Sequence, residues 1–262
     1  RSLSSAASDV YKRQGMGEIR QLEQWYRMNQ AQNFDDWREA MSMLSFASFN
    51  FVYADKDDNI MFLHNSLTPR RIEGYEWNNY LPGDRSELIW KETLGFSQLP
   101  QVINPDAGFV LSANQTPFRV THPSENPKQA DYSPVHGFQL NMTNRANRGL
   151  ELFDSLLPIS RQEFFEIKHD KFYSKTTDYV TYLDKIRSAN FAEPLLKEAQ
   201  AVISDWDLGT DQENLSAALG TCVLLAAERD DDREQHSDEQ VESLLNNCAV
   251  RLMAVSYTHL TL

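Results

Sequence analysis

The chain is poor in cysteine and in positive charge, and it has no long apolar run. Among its 262 residues there are only 2 Cys. Two thiols exclude a disulfide-dense scaffold and a four-thiolate zinc site. Lys and Arg number 25 against 38 Asp and Glu, a formal charge of −13. Binding a nucleic-acid backbone calls for clustered Lys and Arg, so no nucleic-acid partner is expected. No apolar stretch reaches the ~20 residues that span a bilayer. The sequence has no Gly-rich phosphate loop, no nucleophile-elbow pentapeptide and no zinc-protease helix. What is present is a globular composition, 41% hydrophobic and 24% charged, long enough to bury a core.

The two ends differ from the chain between them. Asp9-Val10-Tyr11-Lys12-Arg13-Gln14 can be encoded as GAT GTG TAT AAG AGA CAG. The reverse complement, in a shifted frame, encodes Val255-Ser256-Tyr257-Thr258-His259. An inverted repeat of this kind belongs to DNA and not to folding, and it matches the end of a transposon-based sequencing adapter. Residues 1–14 and 255–262 are therefore expected to be adapter-derived and are set aside from fold reasoning. The biological segment is then Gly15 to Ala254, a piece of a longer gene. Setting aside Arg1, Asp9, Lys12 and Arg13 leaves that segment more acidic still.

The spacing of Ile19, Leu22, Trp25, Tyr26 and Met28 predicts a helix over Glu18–Gln30 with these residues on one side. Asn33 before Phe34-Asp35-Asp36-Trp37 is an N-cap with an acidic first turn, opening a helix to about Leu44. Phe49–Ala54 and Ile60–His64 read as strands joined by the polar turn Asp55–Asn59. From Asn65 to Pro105 breakers dominate, the mark of a long ordered loop. Gly108–Asn114 reads as a further strand, and Thr121–Pro134 as a surface excursion. After Asn144 the character turns helical: Arg148–Leu157, a helix behind the capping box Ser160-Arg161-Gln162-Glu163, then Thr177–Arg187, Pro194–Ser204, Leu215–Arg229 and Ser237–Met253. The fold class is α+β, with a sheet-and-loop part over 15–142 and a mainly helical part over 143–254.

Several clusters invite a chemical reading. Asp55, Asp57 and Asn59 have the alternate spacing of a calcium loop, but Ile60 stands where that loop needs Gly, so a solvated turn is favoured. Asp230-Asp231-Asp232 reads as a solvated interhelix loop sooner than a metal site. Cys222 and Cys248 fall on separate predicted helices, either as buried apolar residues or as a helix-to-helix disulfide. His64 ends an apolar strand, as a base or as a hydrogen-bonded structural imidazole.

One ordered series goes further. It consists of Phe51-Val52-Tyr53-Ala54-Asp55, Asn59-Ile60, His64, Pro69-Arg70, Pro82-Gly83-Asp84, Leu99-Pro100, Asn104-Pro105, Gly108-Phe109-Val110 and Ala113-Asn114-Gln115-Thr116-Pro117. The series resembles the β subunit of the penicillin acylase family of N-terminal nucleophile amidohydrolases, which includes acyl-homoserine-lactone and aculeacin-type acylases. The likeness runs from about Leu22 to Asp207, with Asp205-Trp206-Asp207 matching a recurrent Trp-Asp. It implies a four-layer αββα sandwich, of which this segment is a part. It also implies an α subunit cut from the same precursor, a small N-acylated substrate, and a periplasmic or secreted location.

In that family a β-chain Ser attacks the amide, its own α-amine acts as base, and an Asn amide with a backbone N–H binds the oxyanion. The resemblance places that Asn at Asn114, where a strand end and Pro117 would fix the amide. It places a supporting cation at Arg148, with Arg145 the competing choice, and acyl-pocket walls at Trp25 and Phe49. No cofactor is implied for catalysis. The nucleophile and the ligands of any structural calcium would lie outside this segment, so the segment alone is expected to be inactive. The run Ser112–Phe118 is closer to the aliphatic-acyl and lactone acylases than to the penicillin G branch, and Thr121–Asn141 has no counterpart in the latter. The rival readings are a non-catalytic binding protein on the same scaffold and a helical interaction module. The second would leave Trp25 and Phe49 unrelated in space.

Overall fold

The computed structural model describes residues 17–156, 158–230 and 233–259. Residues 1–14, expected to be adapter-derived, lie outside them, as do 260–262. The chain divides into two compact units, Arg1–Met142 and Thr143–Leu262.

The first unit begins with α1 (Gln21–Gln30) and α2 (Phe34–Met41), the latter capped by Asn33, whose Oδ1 accepts from Asp36 N at 2.9 Å. The helix stops three residues short of the expected Leu44, which instead takes a positive φ of 49°. Strands β1 (Ser48–Ala54) and β2 (Ile60–Ser66) form the expected antiparallel hairpin. Its turn is built by Asp55: Oδ1 accepts from Asp57 N and Asn59 N, and Oδ2 from the Tyr53 hydroxyl. A third strand, β3 (Gln101–Ile103), pairs antiparallel with β2 inside the region read as loop. The order is β1-β2-β3, so β2 is central, and Met61, Phe62 and Leu63 are fully buried. Trp37, Met41, Leu94 and Leu99 pack with Met61 and Leu63, whereas Phe62 packs with Val102 and Val120.

Of the apolar residues expected on one side of α1, Met28 packs against this core. Leu22, Trp25 and Tyr26 are exposed, and the fully buried residue is Gln24. Its Oε1 accepts from Ser45 N at 2.6 Å and its Nε2 donates to Met41 Sδ, so both ends of a buried amide are satisfied. The segment Gly108–Asn114 is not a strand. It belongs to a loop that folds on itself, with Leu111 N donating to Val120 O at 2.7 Å.

The second unit contains α3 (Asn144–Leu156), α4 (Arg161–Lys168), α5 (Asp178–Ser188), α6 (Pro194–Asp205), α7 (Ala217–Glu228) and α8 (Asp238–His259). The Ser160–Glu163 capping box of α4 is complete. Helices α5 to α8 enclose one core that includes Leu183, Ile186, Ile203, Trp206, Leu224 and Leu245. Of the two alternatives for the cysteines, the structure has the disulfide, Cys222–Cys248, joining α7 to α8. None of the described helices is long and apolar enough to cross a membrane.

Candidate active site

Asn114 sits at the tip of the 109–121 loop. Its neighbours Ala113, Gln115, Thr116, Pro117 and Phe118 are all buried, and Asn114 itself is exposed. Its φ is 62°, in the left-handed region. Asn is one of the few residues with a side chain that enters this region readily. The turn is held by the side chain of Gln115, itself only 1% exposed. Gln115 Oε1 accepts from Ala113 N at 2.6 Å, while Nε2 donates to Leu111 O at 3.0 Å and Arg119 O at 3.1 Å. Thr116 N donates to Asn141 O, and Thr121 Oγ1 to Phe109 O. Where a strand end was expected to fix Asn114, a buried amide takes the backbone groups that a strand ladder would use.

A second set of polar groups reaches this loop from the sheet. Asn50 on β1 donates from Nδ2 to Gln115 O at 3.3 Å, and its Oδ1 meets His64 Nδ1 at 2.7 Å. Of the two readings of His64, the hydrogen-bonded imidazole is the one observed. The ring stands edge-on to Phe138, and burial pushes its pKa down to about 4.

Trp25 and Phe49 are brought together through Phe46. Both pack on that buried ring, at centroid distances of 5.7 and 5.4 Å, and both keep about half their surface exposed. An open aromatic wall of this kind suits a flat or aliphatic ligand.

Arg148 lies in the second unit, on α3. Its Nε and Nη2 donate to the two oxygens of Asp170 at 2.9 and 2.8 Å, a fork-on-fork pair. Nη1 leans on Glu151 at 3.5 Å, and the guanidinium lies 5.4 Å from the Phe172 ring. The pair raises the Arg148 pKa and holds the Asp170 carboxyl below its ordinary value. Glu151 also takes the hydroxyls of Ser174 and Thr176.

Gln115, Asn50 and Asp170 were not singled out from sequence. The only sequence signal for Gln115 was its place inside Ala113-Asn114-Gln115-Thr116-Pro117. Asp170 and Asn50 act through partners 22 and 65 residues away, which no local pattern reveals. The calcium-like spacing at Asp55 does not fit a cation, because backbone and side-chain donors from Asp57, Asn59 and Tyr53 occupy its oxygens. Among the described residues no group of three or more His, Cys, Asp or Glu could hold a metal ion.

Comparison with known proteins follows the same direction. The family model for penicillin amidase matches residues 2–251. Penicillin G acylase of Escherichia coli is 29% identical over 100 residues, which are 38% of this chain and 12% of that protein. The solved structure of a thermostable penicillin G acylase from Alcaligenes faecalis superposes with a TM-score of 0.60 at 18% identity. That match covers 92% of this chain and 53% of the other, so the chain spans about half of that solved relative.

Proposed function

Because the chain belongs to the penicillin amidase family, we propose that the protein containing it hydrolyses the amide of an N-acylated small molecule through an acyl-enzyme. The observation that carries this is the Asn114 amide, exposed on a turn whose backbone is pinned on both sides. A preorganised neutral donor of this type gains most where negative charge appears only in the transition state. The nucleophile belongs to chain outside this segment, and Arg148 is the cation we assign to orienting the reacting groups. Turnover by this chemistry needs no cofactor. A structural calcium, if the full-length protein holds one, takes its ligands elsewhere.

We favour a long aliphatic acyl group, as in the lactone and lipopeptide acylases, over a β-lactam side chain. The wall of Trp25, Phe46 and Phe49 supports an apolar acyl site. The fold we assign is part of the αββα sandwich. The exposed apolar side of α1 supports an α-subunit partner there, and the Cys222–Cys248 bond supports a periplasmic or secreted site.

The test is Asn114→Gly in the full-length enzyme. Glycine keeps the left-handed turn and removes the side-chain amide. The expected outcome is a fall in kcat of about a hundredfold or more with an unchanged melting temperature. Near-normal turnover contradicts the assignment.

A further inference from the structure

We infer that His64, acting through Asn50, is a positioning residue for the Asn114 amide. The inference rests on the oxyanion role proposed for Asn114. Asn50 Nδ2 donates to the carbonyl of Gln115, so its Oδ1 is the acceptor toward His64, and the His64 proton sits on Nδ1. The imidazole is held edge-on against Phe138, which is itself packed by Phe118 and Tyr132. The line therefore runs from a ring fixed in the first unit's aromatic cluster to the Gln115–Thr116 peptide, one residue beyond Asn114. Gln115 anchors its own loop from within, through Leu111, Ala113 and Arg119. The Asn50 bond ties the carbonyl of this peptide to β1, and its N–H, on Thr116, donates to Asn141 O.

The chemistry explains why a histidine stands beside Met61, Phe62 and Leu63 on β2. A purely packed position would take Leu or Phe, and Asn50 Oδ1 would then lose its donor inside a part-buried site. That loss lets the Asn50 amide turn away from Gln115 O, and the turn carrying Asn114 loses this bond to β1. A displacement of a fraction of an ångström in an oxyanion donor is enough to lower turnover. The relay changes kcat and leaves substrate affinity alone, since none of its members is placed against substrate.

The experiment uses the full-length enzyme carrying His64→Leu, His64→Asn, Asn50→Ala and the double variant His64→Leu/Asn50→Ala. Asn puts an amide N–H where the His Nδ1–H stood, whereas Leu fills the space and offers no donor. The expected result is a loss in kcat of roughly ten- to hundredfold for His64→Leu and for Asn50→Ala, with KM little changed. His64→Asn keeps most of the turnover, and the double variant is no worse than either single one. A packing role gives the opposite order, with His64→Leu near wild type and His64→Asn impaired, and that order overturns the inference. Multiplying losses in the double variant overturn it as well. If His64→Leu does not fold, His64→Asn and Asn50→Ala still decide, because wild-type turnover in Asn50→Ala contradicts the relay. A normal rate in Asn114→Gly overturns instead the oxyanion reading beneath it, so the two failures are separable.

Discussion

Asn114 meets two demands that few side chains meet together. The backbone there needs a positive φ, and the proposed chemistry needs a neutral donor at an exposed tip. Glycine satisfies the first and most polar residues only the second. The tip holds because Gln115 supplies three hydrogen bonds to backbone groups that would otherwise be left in a buried loop. Gln115→Ala should therefore destabilise the first unit by about 3 kcal/mol, measured by urea unfolding of the chain, since it strands three polar groups. A change within a few tenths of a kcal/mol would show that water replaces the amide there.

At the same scale, Asp170 gives a pH dependence of definite sign. Its carboxyl is held below the ordinary value by the Arg148 fork. The stabilisation is fully present above the unfolded-state value of about 4 and is lost as pH falls through the lower folded-state value. Acid unfolding of the wild type should show this loss, and Asp170→Asn should flatten that part of the curve. Equal slopes for both proteins would remove the pair from the account.

At the level of elements, the second unit is where sequence patterning served best. The helices expected over 177–187, 194–204 and 215–229 appear as α5, α6 and α7 with ends shifted by one or two residues. Their apolar residues face the core they share with α8, so local periodicity carries much of the information. The first unit is different. β3 is three residues long and exists because β2 pairs with it, a non-local cause invisible among the surrounding breakers. Phe109–Ala113 has the composition of a strand, but Gln115 takes its backbone bonds. For the candidate site, motif order pointed to Asn114, whereas the bonds that hold its turn left no sequence signal. Patterning grouped Leu22, Trp25 and Tyr26 on one side of α1; these residues are exposed, and the fully buried one is Gln24.

Two element-level predictions follow from packing in the second unit. Gly220 on α7 lies under Trp206, and a Cβ there would stand 2.1 Å from the indole ring. Ala is the better helix former, yet Gly220→Ala should cost about 2 kcal/mol or more, read by thermal unfolding, because backbone or ring must shift. The disulfide closes a loop with a sequence separation of 26 between α7 and α8. By chain entropy its removal should cost about 3–4 kcal/mol. Denaturant unfolding with and without reductant checks this, and an unchanged midpoint would mean that helix packing alone fixes the pair.

On the scale of the whole molecule, the acidic charge points away from a nucleic-acid backbone, and the chain belongs to the penicillin amidase family. The chain spans about half of a solved relative, and each of its two units has its own core. The contribution we propose for it is an oxyanion donor with its supports and an apolar wall, completed by a nucleophile elsewhere in the protein. The most direct test is to express the full-length gene and determine the N-terminal residue of the mature chain that carries this segment. The expected result is a chain cut from its precursor that begins with Ser, Thr or Cys and loses amidase activity when that residue is replaced by Ala. A mature chain beginning with any other residue, or an active protein that is never cut, would contradict it.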